Sequence, residues 1–586
     1  MGNYRNFELT TYFVAQATAH VTKEELKKQI AFFEKYMKLD KVYIEAMRGG
    51  SFASEEQVKM VRDTFAAHGI KSEGGITTCL PTPEGDEPKQ RLFDTLCYND
   101  EKMMKKLAEA SAMNGKLFDA FIIDDFYFTN CTCEACRNGR DAFNKEHGIE
   151  DGSWQAYRTN LMYEASKKYM IAPAKEVNPN CKITIKYPNW MESYQETGYD
   201  PLSQREIFDA IYTGTETRDP RHTDQHLPRY LSYSLMRYME DMLPGKNGGG
   251  WFDPFDCQIL DYYLEQAYLT VFSRPGELMM FCFQALCDSM NIPALGFQLE
   301  KLDELMDKAG VPIGVPCYIP NASQGEDNLQ DFLGMAGFPI YTTPFFPETE
   351  KTIMLTASSA YDENVVEKLE KFLIDGGKAI VTNGFIDETL DKGIKRITSF
   401  RNRGRKVTLN EFMLENRNQW TLIKNADAVT IPVLEFRNNA TWGALCKGLN
   451  NKESYTMLAR DTYGKGEMMT IVVPESFSDI EKLPKEFLSR LRKEFIVNGM
   501  YLEGPSGTSV FPYDNDTFVV YTYVTSEAND ADIFLHVKGA KSLSFFMAGK
   551  FPWMPSEISP LYMDGEDAVF KLRARVGKFE GFKINR

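Results

Sequence analysis

Apolar runs and amphipathic runs alternate along the first half of the chain. An apolar run covers residues 7–14, and the next segment begins at Thr22 with Leu26, Ile30 and Phe33 spaced to share one helix face. Strand and helix patterns joined by short links predict a parallel sheet, because each crossover returns the chain to the same edge. The alternation continues through residue 309.

Eight strands can be counted in this alternating region. They are predicted at residues 7–14, 41–47, 70–78, 118–125, 181–187, 208–216, 248–253 and 277–283. Eight strand–helix units in about 310 residues fit the size and order of a (β/α)8 barrel. An open doubly wound sheet would normally have a glycine-rich phosphate loop after its first strand, and none follows residue 14. The sequence therefore predicts a TIM barrel over residues 1–311.

The pattern changes after residue 311, as expected for a chain of 586 residues, since single cores stop growing near about 250–300 residues. A second α/β domain is predicted over residues 312–499, with strands at 313–319, 353–356, 378–384 and 467–474 and helices at 363–374 and 484–495. Within it, the polar, basic stretch 395–406 is predicted to be an exposed excursion. Residues 500–586 carry short alternating strands, which indicate a small β-sandwich.

Composition and charge limit the classes of partner. Hydrophobic residues make up 43% and charged residues 26% of the chain, as in ordinary soluble globular proteins. The net charge of −16 argues against a nucleic-acid partner, because an excess of Lys and Arg to neutralise phosphates is missing. No apolar run of about 18 residues predicts a membrane span. No leader is recognised at residues 1–6, so we expect a cytoplasmic location as the chain stands, or a periplasmic or secreted one if a signal peptide was removed.

Three of the eleven cysteines lie close together, at Cys131, Cys133 and Cys136. Neighbouring thiols do not pair easily with one another, but this spacing suits one tetrahedral zinc ion. Cys97, before the helix that leads to the fourth strand, is our choice for the fourth ligand, with Cys79 in reserve. Four thiolates leave no open coordination position, so the predicted zinc is structural, and no organic cofactor is expected. Ordinary unpaired thiols in a loop are the alternative.

Acidic residues stand where several predicted barrel strands end. Asp124 and Asp125 end the fourth strand, Glu216 ends the sixth and Asp253 ends the seventh. Barrel enzymes build their sites from the loops at these strand ends, and glycoside hydrolysis needs two carboxyl groups across the scissile bond. We expect strand alternation to send one of Asp124 and Asp125 into the barrel and the other outward or into the next loop.

Each of these carboxylates also has a structural explanation. Asp124 and Asp125 could cap a helix or bond to the loop backbone. Glu216 lies two residues from Arg218 and could form an ion pair with it, and Asp253 precedes a proline as turn aspartates do.

Further polar and aromatic side chains follow the predicted strands and are expected to bind substrate. They are Glu45 and Arg48 after the second strand, Lys186, Tyr187 and Trp190 at and after the end of the fifth, Arg218 after the sixth, and Trp251 in the seventh. Any one of them is more often a surface residue than a ligand. Their joint placement at one end of the barrel is the evidence for a binding site.

Around residues 97–143 the chain resembles glycoside hydrolase family 42, the β-galactosidases. In that family the fourth strand ends in Asn-Glu-Tyr/Phe, a Cys-x-Cys-x-x-Cys zinc loop follows, and a fourth cysteine precedes the third helix. Here Asp124-Asp125-Phe126 stands in the place of the first motif, with the three clustered cysteines downstream and Cys97 upstream. The resemblance implies a barrel, a flavodoxin-like or glutamine-amidotransferase-like α/β domain, a small β-sandwich and a homotrimer.

The resemblance aligns the family's acid/base glutamate with Asp125 and its nucleophile with Asp253. Both are aspartates here, so β-galactosidase activity does not carry over. Two pairs stay open: Asp125 as acid/base with Asp253 as nucleophile, or a strand-four aspartate nucleophile with Glu216 as acid/base, as in barrels that cleave α-linkages. In either case Asp125 and Glu216 are predicted to face the barrel mouth, roughly 5–9.5 Å apart.

The leading hypothesis is a glycoside hydrolase that acts on an oligosaccharide or glycoside. A non-hydrolytic carbohydrate-binding barrel is the first alternative, favoured by the departure from both family glutamates. A lyase or isomerase acting on uronic acids is the second, in which Arg48, Lys186 and Arg218 would neutralise the substrate carboxylate. The α/β domain lacks a Gly-x-Cys-x-Gly nucleophile motif, so packing and self-association are its expected roles.

Overall fold

The computed structural model describes residues 3–82, 91–150, 152–416, 419–436, 442–451, 453–524, 530–546 and 556–586. Backbone contacts divide the chain into two compact units. The first consists of Met1–His226 and Met239–Asp307, and the second of Leu227–Tyr238 and Lys308–Arg586. Within the part of the chain that is described, no helix is long and apolar enough to cross a membrane.

Eight parallel strands close into a barrel in the first unit. They are β1 Glu8–Phe13, β2 Lys41–Arg48, β3 Lys71–Ile76, β4 Ala120–Ile123, β5 Lys182–Tyr187, β6 Ala210–Gly214, β7 Asn247–Phe252 and β8 Glu277–Met280. Each strand pairs with the next one along the chain, and β8 pairs back onto β1. The predicted TIM barrel and its eight strands are therefore confirmed.

Helices link the barrel strands where the amphipathic spacing predicts them. In the helix Lys23–Glu34, the Thr22 side chain accepts a hydrogen bond from the backbone N–H of Glu25, and the predicted apolar face is buried. The other α-helices of this region are Ala15–His20, Glu55–Ala67, Glu101–Leu117, Glu134–His147, Gln155–Ser166, Ala172–Val177, Tyr194–Thr197, Pro201–Gln204, Leu231–Met242, Leu260–Phe272, Phe283–Leu286 and Asn291–Met306.

Large side chains from six of the eight strands fill the barrel interior. They are Tyr12, Tyr43, Ile122, Tyr212, Trp251 and Met279. The inward position of Ile122 fixes the phase of β4, so that Phe121 and Ile123 face the surrounding helices. The barrel is thus a packed core whose chemistry is confined to its two ends.

A polar cluster occupies the barrel near the amino-terminal ends of its strands. Lys41 Nζ lies 2.5 Å from Glu277 Oε1 and 3.1 Å from Glu73 Oε1. The Tyr43 hydroxyl donates to Glu277 Oε2 at 2.9 Å, and the Tyr212 hydroxyl lies 3.4 Å from the same oxygen. We call Lys41, Glu73, Tyr43 and Glu277 the lower cluster. Both oxygens of Glu277 have partners.

The second unit contains a nine-stranded sheet whose first five strands are parallel. Their order across the sheet is Ile340–Thr343, Val315–Tyr318, Thr352–Leu355, Lys378–Thr382 and Gly466–Ile471. In chain order this is 2-1-3-4-5, the order of flavodoxin-like sheets. Helices Leu329–Met335, Val365–Ile374, Asn383–Glu388 and Lys485–Arg492 accompany it. The flavodoxin-like α/β domain predicted for the middle of the chain is confirmed.

An antiparallel extension of this sheet was not predicted. Strands Glu453–Tyr463, Trp442–Asn450, Glu411–Asn416 and Gln419–Ile423 continue the parallel part, and Phe400–Leu409 pairs separately with Val429–Phe436. The stretch 395–406 is exposed at its basic residues, such as Arg405 and Lys406, but Ile397, Thr398 and Phe400 are buried, and from residue 400 onward it is a regular strand. The basic composition indicated solvent exposure and gave no information on backbone conformation.

The C-terminal region folds as two antiparallel sheets. One contains Met500–Glu503, Ala531–Lys538, Asp567–Ala574 and Tyr562–Asp564, and the other contains Thr508–Pro512, Thr517–Thr522, Phe579–Asn585, Ser542–Phe545 and Glu557–Ile558. Leu535 and Phe570 from the first sheet share one core with Phe518 and Phe582 from the second. This is the predicted β-sandwich.

The segment Leu227–Tyr238 belongs to the second unit although barrel residues precede and follow it. Its Tyr230 ring stacks on Phe511 at 5.5 Å between ring centroids, and the Tyr230 hydroxyl donates to the carbonyl oxygen of Ile340 at 2.6 Å. The Ser234 hydroxyl donates to the buried Asp331 carboxylate. These contacts build the segment into the fold of the second unit.

Candidate active site

A cleft of about 780 Å³ lies at the carboxyl ends of the barrel strands. The end of β2 and the segments that follow β1, β3, β4, β5, β6, β7 and β8 contribute to its wall, as in barrel enzymes generally. Nine of the predicted site residues line it: Arg48, Asp124, Asp125, Lys186, Trp190, Glu216, Arg218, Trp251 and Asp253.

Glu45 and Tyr187 are not part of the cleft wall. Glu45 is fully buried, accepts from the Tyr12 hydroxyl at 2.9 Å and binds Arg48 Nε at 2.9 Å, so it positions Arg48. The Tyr187 hydroxyl donates to Gln204 Oε1 at 3.0 Å in the layer around the barrel. The structure therefore places neither of these two predicted substrate contacts at the cleft. In β5 the alternation of side chains turns Lys186 inward and therefore Tyr187 outward.

Asp124 and Asp125 both line the cleft, so the expectation that alternation separates them was wrong. The reason is that β4 ends at Ile123 and the backbone turns between Asp124 and Tyr127, so that Asp125 no longer follows the strand. The Asp125 backbone N–H then donates to Asp124 Oδ1 at 2.8 Å, which holds the two side chains on the same side.

Asp124 is fully engaged in hydrogen bonds. Its Oδ2 accepts from Thr77 Oγ1 at 3.1 Å and from the Arg48 guanidinium, and its Oδ1 accepts from the backbone as described. Burial alone would raise the pKa of Asp124, but the charges of Arg48 and Lys186 outweigh it and lower the pKa below its usual range. Asp124 is therefore an ionised anchor with no oxygen left for a substrate.

Lys186 joins two carboxyl groups that come from different strands. Its Nζ lies 2.6 Å from Asp125 Oδ2, 2.5 Å from Glu216 Oε1 and 3.8 Å from Asp124 Oδ1. The ammonium group also lies 4.3 Å from the centre of the Trp251 ring. We call Lys186, Asp125 and Glu216 the upper cluster. Because the two oxygens lie 2.6 and 2.5 Å from one nitrogen, they are at most about 5.1 Å apart.

The carboxyl group of Asp125 holds its proton at neutral pH. Burial raises its pKa to about 8; the Lys186 charge opposes the rise, and the negative charges of Asp124 and Glu216 add to it. The side chain is 19% exposed, more than the 5% of Glu216 in the same cluster. A partly accessible carboxyl group that is protonated near pH 7 is equipped to donate a proton in the cleft.

Glu216 has one oxygen committed to Lys186 and one that is free of protein partners. Its Oε2 is buried and has no hydrogen-bond partner among the described residues. A Cβ atom at Gly214 would lie only 2.6 Å from this oxygen, so the glycine makes room for the carboxylate. Buried polar atoms are nearly always paired, and an exception suits a site that a ligand completes.

Arg218 binds Asp253 and leaves Glu216 to Lys186. Arg218 Nε donates to Asp253 Oδ1 at 2.9 Å and its terminal nitrogen to Oδ2 at 2.7 Å, a two-pronged pair. The backbone N–H of Phe255 also donates to Asp253 Oδ1, at 3.0 Å. The Glu216–Arg218 ion pair considered from the sequence is thus replaced by Arg218–Asp253. Burial raises the pKa of Asp253 despite the Arg218 contact.

An apolar rim borders the cleft and was not predicted. Phe93 is 66% exposed, has a φ angle of 52° and meets Phe126 edge to face at 5.6 Å. Leu92, 49% exposed, lies beside it, and Phe255, 43% exposed, packs edge to face on Phe281 at 6.0 Å. Large apolar side chains exposed around a cleft, one of them on strained backbone, are typical of a binding surface. Single aromatic residues in loops gave no sequence signal for it.

The four predicted zinc ligands come together. The sulfur atoms of Cys97, Cys131, Cys133 and Cys136 all lie within 4.8 Å of one another, and three of the pairs are separated by 3.6–3.8 Å. A tetrahedral ion with metal–sulfur bonds of about 2.3 Å requires sulfur–sulfur distances of about 3.8 Å. The cluster therefore fits a metal ion, and Cys79 is not part of it. It lies directly after the β4 loop, where the helix Glu134–His147 begins.

Two carboxyl groups and aromatic side chains in the carboxyl-end cleft of a TIM barrel are typical of barrels that process carbohydrates. Residues 1–302 match the family model described as "probable glycosyl hydrolase, catalytic domain", and the chain belongs to that family. Residues 307–475 match the model for the second domain of the uncharacterized protein SSO3021.

One relative and two solved structures are similar to this chain over most of its length. The uncharacterized protein SSO3021 of Saccharolobus solfataricus is 26% identical over 399 residues, which cover 63% of this chain and 65% of that protein. The β-galactosidase from Bacillus circulans sp. alkalophilus has a TM-score of 0.63 at 11% identity, over 98% of this chain and 99% of its own. The β-galactosidase from Rahnella sp. R3 has a TM-score of 0.62 at 12% identity, over 97% and 99%. These likenesses establish the three-part fold.

Proposed function

We propose that the protein is a glycoside hydrolase in which Asp125 is the acid/base and Glu216 is the nucleophile. The observation that carries the proposal is the upper cluster itself: a protonated carboxyl group and a second carboxyl group share one lysine at the mouth of the barrel. Two carboxyl groups of unlike protonation state are what glycoside hydrolysis requires.

The separation of the two groups favours retention of anomeric configuration. Their nearest oxygens are at most about 5.1 Å apart, by the distances to Lys186. Retaining glycosidases have carboxyl groups about 5–5.5 Å apart, whereas inverting ones need about 6.5–9.5 Å to admit a water molecule between them.

The reaction then has two steps. Asp125 gives its proton to the departing glycosidic oxygen while a Glu216 oxygen attacks the anomeric carbon, forming a glycosyl ester and releasing the leaving group as an alcohol. Asp125, now ionised, takes a proton from water as that water attacks the same carbon. The ester bond breaks, the sugar is released, and Glu216 and protonated Asp125 are restored.

Asp253 and Asp124 fit the reacting roles less well than Glu216. Both oxygens of Asp253 accept from Arg218, and both oxygens of Asp124 accept from Arg48, Thr77 or the backbone. A group held this way must break two or more charge-assisted hydrogen bonds before it can react. Asp253 is the second candidate for the nucleophile because it is the position that the family 42 resemblance implies.

The paired cations in the cleft favour a neutral glycoside or oligosaccharide as substrate. Arg48 is bound to Glu45 and Asp124, Lys186 to the upper cluster, and Arg218 to Asp253. No one of the three is held for a substrate carboxylate, which argues against the lyase or isomerase on uronic acids. Trp190 lines the cleft and offers a ring for contact with a sugar, whereas Trp251 is only 2% exposed and packs against Phe281 and Lys186.

The test is a panel of aryl glycosides assayed with wild type, Asp125→Asn, Glu216→Gln and Asp253→Asn. We expect turnover of at least one glycoside with retention, read by NMR of the first-formed anomer. Asp125→Asn should lower the rate by about 10²–10⁴-fold, and less for substrates with good leaving groups, because these need less protonation. Glu216→Gln should not show this leaving-group rescue of the first step.

Three outcomes would contradict the proposal in different ways. An inactive Asp253→Asn with an active Glu216→Gln would move the nucleophile to Asp253. Leaving-group rescue in Glu216→Gln in place of Asp125→Asn would exchange the two roles. Binding of free sugars, seen as a thermal shift, without turnover of any glycoside would favour the non-hydrolytic binding barrel.

We also propose that the four-cysteine cluster binds one structural zinc ion. Four thiolates at tetrahedral spacing are typical of zinc, and they leave no position for a substrate. Metal analysis of freshly purified protein should give one zinc per chain. Cys133→Ser should lower the melting temperature, while the control Cys79→Ser should not release metal. Absence of zinc together with an unchanged melting temperature in Cys133→Ser would exclude the site.

Self-association as a homotrimer remains a prediction from the resemblance. Light scattering at micromolar concentration should give about three times the 67.0 kDa of one chain. A mass of one chain under these conditions would exclude it.

A further inference from the structure

We propose that Lys186 is a positioning residue that acts as the shared counter-ion of Asp125 and Glu216, facing one negative carboxylate of the pair at each stage of the reaction. This inference rests on the proposed function, because it assigns the lysine a role in the same two-step hydrolysis. It makes Lys186 part of the reacting machinery, in place of the substrate-binding role expected from the sequence.

The strand order of the barrel places Lys186 between the two groups. β5 lies between β4 and β6, with Ile123 opposite Ile185 on one side and Lys186 opposite Tyr212 on the other. Lys186 is an inward side chain near the end of β5, so it meets the residues that follow β4 and β6. Its side chain is only 2% exposed, and its nitrogen lies at nearly equal distances from Asp125 and Glu216.

The charge of the cluster explains why one counter-ion is enough. In the resting state Asp125 carries a proton, so Lys186 faces the Glu216 carboxylate. After the first step Glu216 is an uncharged ester and Asp125 has lost its proton, so Lys186 faces the Asp125 carboxylate. The negative charge passes from one contact of the ammonium group to the other, and the cluster never has to hold an unpaired ion in a buried site.

The other cations of the cleft are not placed to replace Lys186. Arg48 bonds to Asp124 and Glu45, and Arg218 bonds with two nitrogens to Asp253. The hydrogen bonds of these two arginines go to carboxylates outside the pair, and the Arg218 charge acts on Glu216 and Asp125 without a hydrogen bond to either. Removal of Lys186 therefore leaves Asp125 and Glu216 without the cation that hydrogen-bonds to both.

The first measurement is the titration of Asp125 itself and needs no enzymatic activity. Protein labelled with ¹³C at the aspartate carboxyl carbons is titrated by NMR, and the Asp125 signal is assigned as the one missing from Asp125→Asn. In Lys186→Met the signal should titrate about 1–3 pH units higher than in wild type, because a nearby cation of this kind lowers a carboxyl pKa by that amount. Lys41→Met, the equivalent change in the lower cluster, should leave the signal where it is.

The second measurement is the pH dependence of kcat/KM on the glycoside that wild type hydrolyses. Lys186→Met should lose about 10²–10³-fold in rate, the scale of removing one fixed electrostatic contact to a reacting group. Its basic limb should also move to higher pH, because Asp125, which must keep its proton to act as the acid, becomes harder to ionise without the Lys186 charge. Lys186→Arg, which keeps the charge, should recover part of the rate and most of the original pH profile.

The outcomes separate this inference from the proposed function. An Asp125 signal that does not move in Lys186→Met, or a rate within about threefold of wild type, overturns the counter-ion role. A shifted signal in a protein that hydrolyses no glycoside would contradict the proposed function and leave the electrostatic coupling standing. If Lys186→Met does not fold, Lys186→Gln keeps a hydrogen-bond donor without the charge, and the same shifts are expected from it.

Discussion

The two ends of the barrel carry clusters of nearly the same composition. In the lower cluster Lys41 lies between Glu277 and Glu73, and in the upper cluster Lys186 lies between Glu216 and Asp125. In both, burial is the largest cause of a raised carboxyl pKa, at Glu277 below and at Asp125 above.

The difference lies in what remains unbound. Glu277 has Lys41 on one oxygen and tyrosine hydroxyls on the other, whereas Glu216 Oε2 has no partner among the described residues. The upper cluster also lines the cleft, and the lower one does not. A saturated ion cluster stabilises the fold, and an unsaturated one beside a cleft can take a ligand. Residue types alone do not separate the two cases.

The largest contrast is expected in activity. Glu216→Gln should lower kcat by about 10⁴-fold or more, the scale on which loss of a nucleophile is felt. Glu277→Gln is the same chemical change at the other end of the barrel. The folded fraction of this variant should have a kcat within a few fold of the wild-type value. Steady-state rates on one aryl glycoside decide it. Equal losses in both variants would mean that the lower cluster also takes part in the reaction.

A smaller contrast is expected in stability. Lys41→Met removes one partner of a buried ion cluster and should cost about 3–5 kcal/mol of barrel stability. The cost arises because the buried carboxyl group of Glu277 loses the ammonium group that it binds. Denaturant unfolding followed by tryptophan fluorescence measures it, with exposed Lys59→Met as the control. A loss below about 1 kcal/mol would show that the lower cluster is as weak as a surface ion pair.

The pH dependence of stability should distinguish two adjacent aspartates of the upper end. Asp125 has a pKa of about 8 in the folded protein and about 3.9 when unfolded, so between these values the folded state binds the extra proton. Stability from this group is therefore lost as the pH rises through that window. Asp125→Asn should raise the melting temperature relative to wild type by more at pH 8 than at pH 5.

Asp124→Asn is the matched control for that experiment. The pKa of Asp124 is lowered on folding, so its contribution is present above about pH 3.9 and is lost only on further acidification. Asp124 itself does not titrate between pH 5 and pH 8, so the effect of Asp124→Asn on the melting temperature should vary in this range only through the loss of the Asp124 charge beside Asp125, and by less than that of Asp125→Asn. A constant difference for Asp125→Asn would contradict the raised pKa.

The smallest effect is expected at the apolar rim of the cleft. Phe93→Ala should raise KM for aryl glycosides by about 2–10-fold with kcat unchanged, because one aromatic contact is worth about 0.5–1.5 kcal/mol. Phe297→Ala removes an equally exposed phenylalanine outside the cleft and should not alter KM. A fall in kcat in place of a rise in KM would mean that Phe93 shapes the reacting groups.

The barrel could be predicted from the sequence because each strand–helix unit carries its own local pattern. The four cysteines were found for a similar reason, since three of them are adjacent in the chain. The lower cluster was missed because Lys41 and Glu277 are separated by 236 positions and meet only when the barrel closes. The prediction that Asp124 and Asp125 point to opposite sides was wrong because it assumed strand alternation for both residues. The strand ends at Ile123, and side chains alternate regularly only within a strand.

The partners of the site residues were harder to predict than their positions. Glu216 and Arg218 are close in sequence, yet Arg218 binds Asp253 and Glu216 binds Lys186. Those choices depend on which strands are neighbours and on which side chains point inward. Both are properties of the closed barrel that no single segment of the sequence contains.

The assignment of Leu227–Tyr238 to the second unit has a consequence for anyone who tries to divide the protein. A fragment that stops at Asp307 would keep this segment but lose the partners that its Tyr230 and Ser234 bind, Phe511, Ile340 and Asp331. Several aromatic and apolar side chains of this segment, which are buried in the full chain, would then face water. Along the sequence, a segment of the second unit interrupts the barrel. An exchange of the barrel between relatives therefore requires a junction on each side of Leu227–Tyr238 in addition to the junction after Asp307.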